Sequence, residues 1–275
     1  MKQFGREILL KIGNEDESLT YSNLRITFNV TKTISSEPNT GEITIYNLNQ
    51  NTRNLITTKY YQHVELYICY REDDFRLIFK GDVISINNSQ SDLDIITHLK
   101  CADGFKAYTD KTIVKTLSSG QSDIVVVNEA LASFNIQAAT IDLPRNTILP
   151  RGKVLFCDAR EAVSKVAINN RADWSIQDGQ LAIIPKNTAL RNDEGYIISS
   201  ATGMIGSPEK NDDGLEVTTL CNPYFKIGGL IRIESQITEY NGNYKIKSIQ
   251  HEGDLMGSDW KSKLVCTGGN FVIKK

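Results

Sequence analysis

The side chains able to do chemistry in this 275-residue chain are few and scattered. Its three histidines, His63, His98 and His251, fall neither in an H-E-x-x-H helix nor in any other metal-ligand spacing. A serine nucleophile of the hydrolase kind needs a G-x-S-x-G elbow, and none is present. The acidic pairs Asp73-Asp74 and Asp212-Asp213 lie among turn-forming residues and read as solvated loops. Glycoside hydrolysis needs two carboxylates facing one another across a cleft, which adjacency in sequence does not supply. Gly203-x-x-Gly206 and Gly228-Gly229 lack the strand, helix and lysine of a phosphate cradle. The five cysteines, Cys69, Cys101, Cys157, Cys221 and Cys266, are odd in number and include no C-x-x-C pair, which argues against a disulfide framework and against a zinc site. Four of them have apolar or strand-forming neighbours, where a reduced cysteine behaves as a small hydrophobe. His63 and His98, beside and on strands, read as structural or exposed. Tyr60-Tyr61, Tyr224-Phe225 and Trp174 offer aromatic platforms for a glycan or partner, but aromatics beside strands mostly fill cores, and Trp174 is placed to pack helices. The expectation is a protein with no catalytic residue, no cofactor and no metal.

The elements around these residues are mostly strands. Leu24, Ile26, Phe28 and Val30 alternate with Arg25, Thr27 and Asn29, the pattern of a half-buried strand. After the turn-rich Ser35 to Gly41, alternation resumes at Ile43 and Ile45 and passes into Asn49 to Ile56, a short helix capped by an asparagine. Val64 to Ile68, Leu77 to Ile86 with a bulge at Gly81, and Leu93 to Cys101 add three strands. Such a set of short antiparallel strands with a plug helix suggests a small closed barrel, because closure removes exposed edges. From Ser122 the period becomes helical, with Ile124, Val127, Ala130, Leu131 and Phe134 on one face. Asp158 and Glu161 form a capping box before Ala162, Val163, Val166 and Ala167. Trp174 to Ile176, an Asp178-Gly179 turn and Leu181 to Ile183 make a hairpin. After a Gly, Pro and Asn-rich passage, strands return at Leu215–Leu220, Leu230–Glu234, Tyr244–Ile249 and Lys261–Cys266, with a further strand borrowed from the segment near Ile197 and Ile198.

Two of these hairpins look alike. Phe79-Lys80-Gly81-Asp82-Val83-Ile84-Ser85-Ile86 leading into Leu93 to Gly104 parallels Asn243 to Ile249 leading into Trp260 to Gly269. Either a β module is duplicated, or two unrelated hairpins share alternation and turn chemistry. The charge, 31 basic against 33 acidic residues, gives no electrostatic footprint for nucleic acid or an anionic membrane. No apolar stretch approaches the roughly 20 residues of a membrane span. Met1-Lys2-Gln3-Phe4-Gly5-Arg6-Glu7 is unlike a signal peptide, so the chain is expected to stay in the cytoplasm or leave by lysis.

The stretch LRITFNVTKTISSEPNTGEITIYNLNQNTRNLI, Leu24 to Ile56, resembles the opening module of tailed-phage baseplate central hub proteins. TGMIGSPEKNDDGLEVTTLCNPYFKIGGLIRI, Thr202 to Ile233, followed by Tyr244 to Trp260, resembles their closing module. The resemblance implies a mainly β chain: two tail-tube-like antiparallel β-barrel domains, at 1–104 and 191–275, flanking a small α+β insert at 105–190. It implies a structural virion protein of the tail baseplate, assembled in the host cytoplasm. As a homotrimer it would present a pseudo-sixfold ring that joins the hexameric tail tube to the trimeric central spike and touches other baseplate proteins, with DNA passing through its channel unbound. The resemblance at Asn222 to Gly229 places that loop near an intersubunit or tube-facing surface. A distal-tail or tube-terminating ring protein and a host-surface binding module are the alternatives.

Overall fold

The computed structural model describes residues 5–71, 73–109, 111–190 and 195–268. Met1 to Phe4 and Gly269, which the sequence reading used, lie outside them. The opening third comprises β1 (Arg6–Gly13), β2 (Ser18–Tyr21), β3 (Ile26–Thr33), β4 (Thr40–Tyr46), α1 (Gln50–Thr57), β5 (His63–Tyr70), β6 (Arg76–Ser91) and β7 (Asp94–Ala102). The middle holds α2 (Phe105–Tyr108), β8 (Thr112–Leu117), α3 (Asp123–Phe134), β9 (Gln137–Ile141), β10 (Lys153–Asp158), α4 (Ala159–Asn169), β11 (Ala172–Gln177) and β12 (Gln180–Pro185). The closing third comprises β13 (Tyr196–Ile198), β14 (Met204–Asn211), β15 (Gly214–Leu220), β16 (Leu230–Ile233), β17 (Gly242–Asp254) and β18 (Trp260–Gly268).

Alternation does what it promised in β3, where Ile26, Phe28 and Val30 are buried and their neighbours are not. They meet Ile8, Leu10, Ile43, Ile45, Val64, Leu66, Phe79 and Leu99 in one core, over which the opening sheet curls. Helix α1 begins as expected, with the Asn49 side chain accepting from the Thr52 N–H at 2.8 Å. The insert has its own core, in which α3 and α4 lie against β11 and β12. Its hairpin turns at Asp178 and Gly179, both at positive φ, as a two-residue type I′ turn requires. A third core fills the closing module.

Three expectations need correction. No closed barrel is found among the described residues: the opening and closing strands form one 13-stranded sheet, ordered β14-β15-β18-β17-β3-β4-β7-β6-β5-β1-β2 with β16 and β13 branching from β17. The edge of β3 that closure would have consumed is instead paired with β17. Gly81 is not a bulge but pairs in register with Val64, and the register shifts flank it at Ile78 and Ile84. Glycine is needed there because a Cβ would meet the Ala102 carbonyl at 2.7 Å. Asp158 stands at the N-cap of α4 without making the side-chain cap bond. In the loop from Asn222 to Gly229, Lys226 is exposed, Asn222 and Tyr224 are half-buried, and Pro223, Phe225 and Ile227 are buried. The borrowed strand is present, as β13 pairing parallel to β16.

The strand order repeats. β3-β4-β7-β6-β5 and β14-β15-β18-β17-β16 follow the same order with the same antiparallel pairings. Both long hairpins bulge at the equivalent place: Val83 faces Cys101, Ile84 is extra and Ser85 faces Lys100, while Ile246 faces Cys266, Lys247 is extra and Ser248 faces Val265. A bulge bends its strand and fixes register. Counting from it, Glu42-Ile43-Thr44 matches Glu216-Val217-Thr218, and Leu99 and Cys101 match Leu264 and Cys266. Even a cross-strand polar pair recurs, Thr97 with Asn88 at 2.9 Å and Ser262 with His251 at 2.8 Å. Unrelated hairpins share alternation, but not order, bulge and register together.

Candidate functional site

The part of the molecule where sequence, sheet and insert converge is the seam between β3 and β17. Seven residue pairs join it, from Ser248 opposite Thr33 to Asp254 opposite Thr27. Side chains fasten it at one end and in the middle. Arg25 holds Asp254 through a 2.7 Å ion pair, and this bond keeps the Asp254 carboxyl below the usual carboxylate range. Gln250 donates to Asn29 at 3.0 Å. Phe28 meets Trp260 edge to face, and Gly253 lets that ring approach the backbone. The Tyr70 hydroxyl donates to the Cys221 carbonyl at 2.7 Å, so residues of the closing module complete the opening core.

The insert is latched to this seam through its Asp178-Gly179 turn. Asp103, fully buried after β7, accepts from the N–H groups of Asp178 at 2.5 Å and Gly179 at 2.8 Å. Burial, reinforced by the nearby Asp178 charge, pushes the Asp103 carboxyl up to about 7, against the opposing pull of Lys32 and the two N–H donors. Lys32 in turn holds both oxygens of Asp178 at 2.7 Å. Asn39 donates to the Ile176 carbonyl, Gln177 to that of Thr33, and Lys245 from the closing module to that of Pro185. Beside this latch a cleft of about 980 Å³ opens, with Lys32, Tyr67, Arg76, Asp178 and Tyr224 on its walls.

The chemistry-bearing residues are kept apart. His63 pairs with Asp82 at 2.7 Å, and His98 bonds Thr44 at 3.0 Å. His251 is buried on the seam with Ser262 at 2.8 Å and Cys221 Sγ at 3.7 Å. That trio has the residue types of a nucleophile and its base, which the sequence reading did not assemble. Burial pushes His251 down to about 3 and Cys221 up to about 12, so the imidazole stays neutral and the thiol protonated. An interior nucleophile that is protonated and shielded from solvent is packing. Cys101 and Cys266 are likewise pushed up to about 12. No cluster of three or more metal-ligating side chains occurs among the described residues. Trp174 packs the insert as expected, its ring stacked on Tyr108 and its N–H bonded to Ser164 of α4.

Both buried groups that the sequence reading missed carried a signal. Asp103 continues the buried phase of Leu99 and Cys101, and His251 that of Ile249. A polar side chain in the apolar phase of a strand needs a partner.

Among solved structures, the fold is similar to prophage MuSo2 43 kDa tail protein from Shewanella oneidensis, with a TM-score of 0.67, 11% identity and coverage of 96% of this chain and 97% of that one. It is similar to the tail protein from Neisseria meningitidis MC58, with a TM-score of 0.66, 8% identity and coverage of 96% and 97%. It also resembles the E. coli c3393 protein, described as a type VI secretion component structurally similar to T4 bacteriophage tail proteins gp27 and gp5, with a TM-score of 0.57, 9% identity and coverage of 95% and 77%. No curated protein matches the sequence. At these identities the likeness is one of fold. The sequence itself carries the assignment further, since the family model for Baseplate hub gp41 matches residues 7–254, nearly the whole sheet and all of the insert, and the chain belongs to that family.

Proposed function

We propose that this member of a structural baseplate family is a homotrimeric hub. Three chains, each carrying two copies of one β module, present six similar modules around a channel. One face of the ring meets the hexameric tail tube and the other the trimeric central spike, with DNA passing through. The observation that supports this reading is the repeated strand order with its bulge at the equivalent register. Duplication within a chain gives a trimer a sixfold-like face without a sixfold subunit count. The near balance of 31 basic and 33 acidic residues suits a channel wall that does not retain phosphates. The domain division at 104/105 and 190/191 belongs to the same proposal, with the insert standing off the ring.

Negative-stain electron microscopy of concentrated protein, with solution mass on the same sample, tests it. A three-chain ring with an open centre and six peripheral lobes is expected. A six-chain ring would replace the hub reading by a tube-terminating one. A monomer that stays single when spike protein is added would end it.

A further inference from the structure

The seam between β3 and β17 has a second, empty counterpart at the two ends of the repeat. β17 uses one half, up to Lys245, to pair with β16, and the other half, Ser248 to Asp254, to pair with β3. Its counterpart β6 pairs with β5 through Asp82, but from Ser85 to Ser91 no strand lies on the side away from β7 among the described residues. The counterpart of β3 is β14, which pairs with β15 and has no strand on its other side among the described residues. The chain therefore exposes one copy of each strand that forms the seam. An unpaired strand edge is a template for another chain.

We propose that β6 of one protomer pairs antiparallel with β14 of the next, repeating between chains the β3–β17 seam within each chain. The register follows from the repeat: Asn88 stands where His251 does and Lys210 where Val30 does, so Asn88 faces Lys210, and Ser89 faces Glu209. β14 carries two more residues than β3 between the matched pairs, around Pro208. A proline without a ladder N–H is tolerated at such a bulge. His251 and Asn88 show what the missing strand does. Both hydrogen-bond a fully buried hydroxyl, on Ser262 and Thr97, yet His251 is buried under β3 while Asn88 lies open. The two edges differ, so association is head to tail and closes into a ring when the rotation permits. This pairing deepens the hub reading and rests on it for the number of chains.

Cysteines placed in register test the contact. Residues opposite one another on antiparallel strands have Cα atoms roughly 4.5–5.5 Å apart, within disulfide reach. Oxidised Asn88→Cys/Lys210→Cys protein is expected to run as a covalent trimer on a non-reducing gel. Each single variant, and the out-of-phase pair Asn88→Cys/Glu209→Cys, should remain single chains. A three-chain ring by mass without the 88–210 cross-link would overturn the strand pairing and leave the hub reading standing. Cross-linked six-chain rings would support the pairing and overturn the trimer, and single chains with no cross-link would overturn both. Charge gives a second readout without cysteines. Ser89→Asp faces Glu209 and should weaken association about threefold or more, and adding Glu209→Lys should restore it.

Discussion

The opening and closing copies of the β module share a backbone but fill it differently. In the opening copy Phe79 supplies the bulk, and its ring occupies the space over Gly41 and Gly81. At the matching positions of the closing copy, Phe79 is replaced by Gly242, Gly41 by Leu215 and Gly81 by Tyr244. Volume has moved from one strand to its neighbours while the register stayed fixed. A core needs its total volume filled, not any one residue kept, so a repeat can persist after most of its residue identities are gone. The copies also differ in what flanks them: β3 pairs with the outer half of β17, and among the described residues no strand pairs with that of β6 on the side away from β7.

The sharpest way to break the comparison is to put one charge at two matched positions. Ile26 is fully buried where β3 meets β4 and the opening core, and its counterpart Met204 lies partly open at the sheet edge. Ile26→Asp should cost about 4 kcal/mol or more in urea unfolding, because it buries a carboxylate without a partner. Met204→Asp should cost about 1 kcal/mol or less. Equal losses would mean that the two strands are not counterparts in packing.

A smaller effect separates His251 from Asn88. The imidazole is neutral in the folded chain down to about pH 3, whereas the unfolded chain takes up a proton near its ordinary value of 6.5. The unfolded state therefore binds more protons between these values, and stability is lost as pH falls below 6.5. From pH 7 to 4.5 the loss from this one residue should be about 2–3 kcal/mol. His251→Asn, which places in β17 the residue that β6 carries, should flatten that part of the acid-stability curve. An unchanged slope would show that the imidazole is not held neutral.

The packing exchange predicts a coupling. Gly41→Ala would bring a Cβ within 2.8 Å of the Phe79 ring, with no other neighbour so close, and should cost about 1–2 kcal/mol. In a Phe79→Leu background the same change should cost less, as it does for residues that share one space. Additive losses in a double-mutant cycle would remove the idea that glycine and phenylalanine are matched.

What was legible in the sequence was whatever depends on local period. The strands at Ile26 to Val30 and Val64 to Ile68, the two amphipathic helices and the Asp178-Gly179 turn follow from side-chain spacing and turn chemistry alone. The likeness of the hairpins was legible too, in Val83-Ile84-Ser85-Ile86 and Ile246-Lys247-Ser248-Ile249. The pairing of β3 with β17 was not, because alternation says which face of a strand is buried and nothing about which strand takes its edge. That choice depends on contacts more than 200 residues apart, such as Arg25 with Asp254. The expectation of closed barrels failed at this point: a free edge has to be dealt with, and β3 met that need by joining the other module rather than its own.

Asp103 offers the finest distinction between the copies, because its counterpart is Gly268. In the closing copy the Tyr244 ring lies against that glycine; in the opening copy Gly81 leaves room and the aspartate reaches the insert's turn instead. Its folded carboxyl titrates near 7 against 3.8 when exposed, so the folded chain binds the extra proton between these values. Stability from this group is then greatest below about pH 3.8 and is lost as pH rises towards 7, opposite in sign to His251. Asp103→Asn removes the titration. The stability of the parent minus that of the variant should fall by about 1 kcal/mol between pH 6 and 8 and level off above that, as read from paired melting curves. A flat difference would mean that Lys32 and the two N–H donors keep the carboxylate charged throughout, and that the latch on the insert is a full ion network rather than a shared proton.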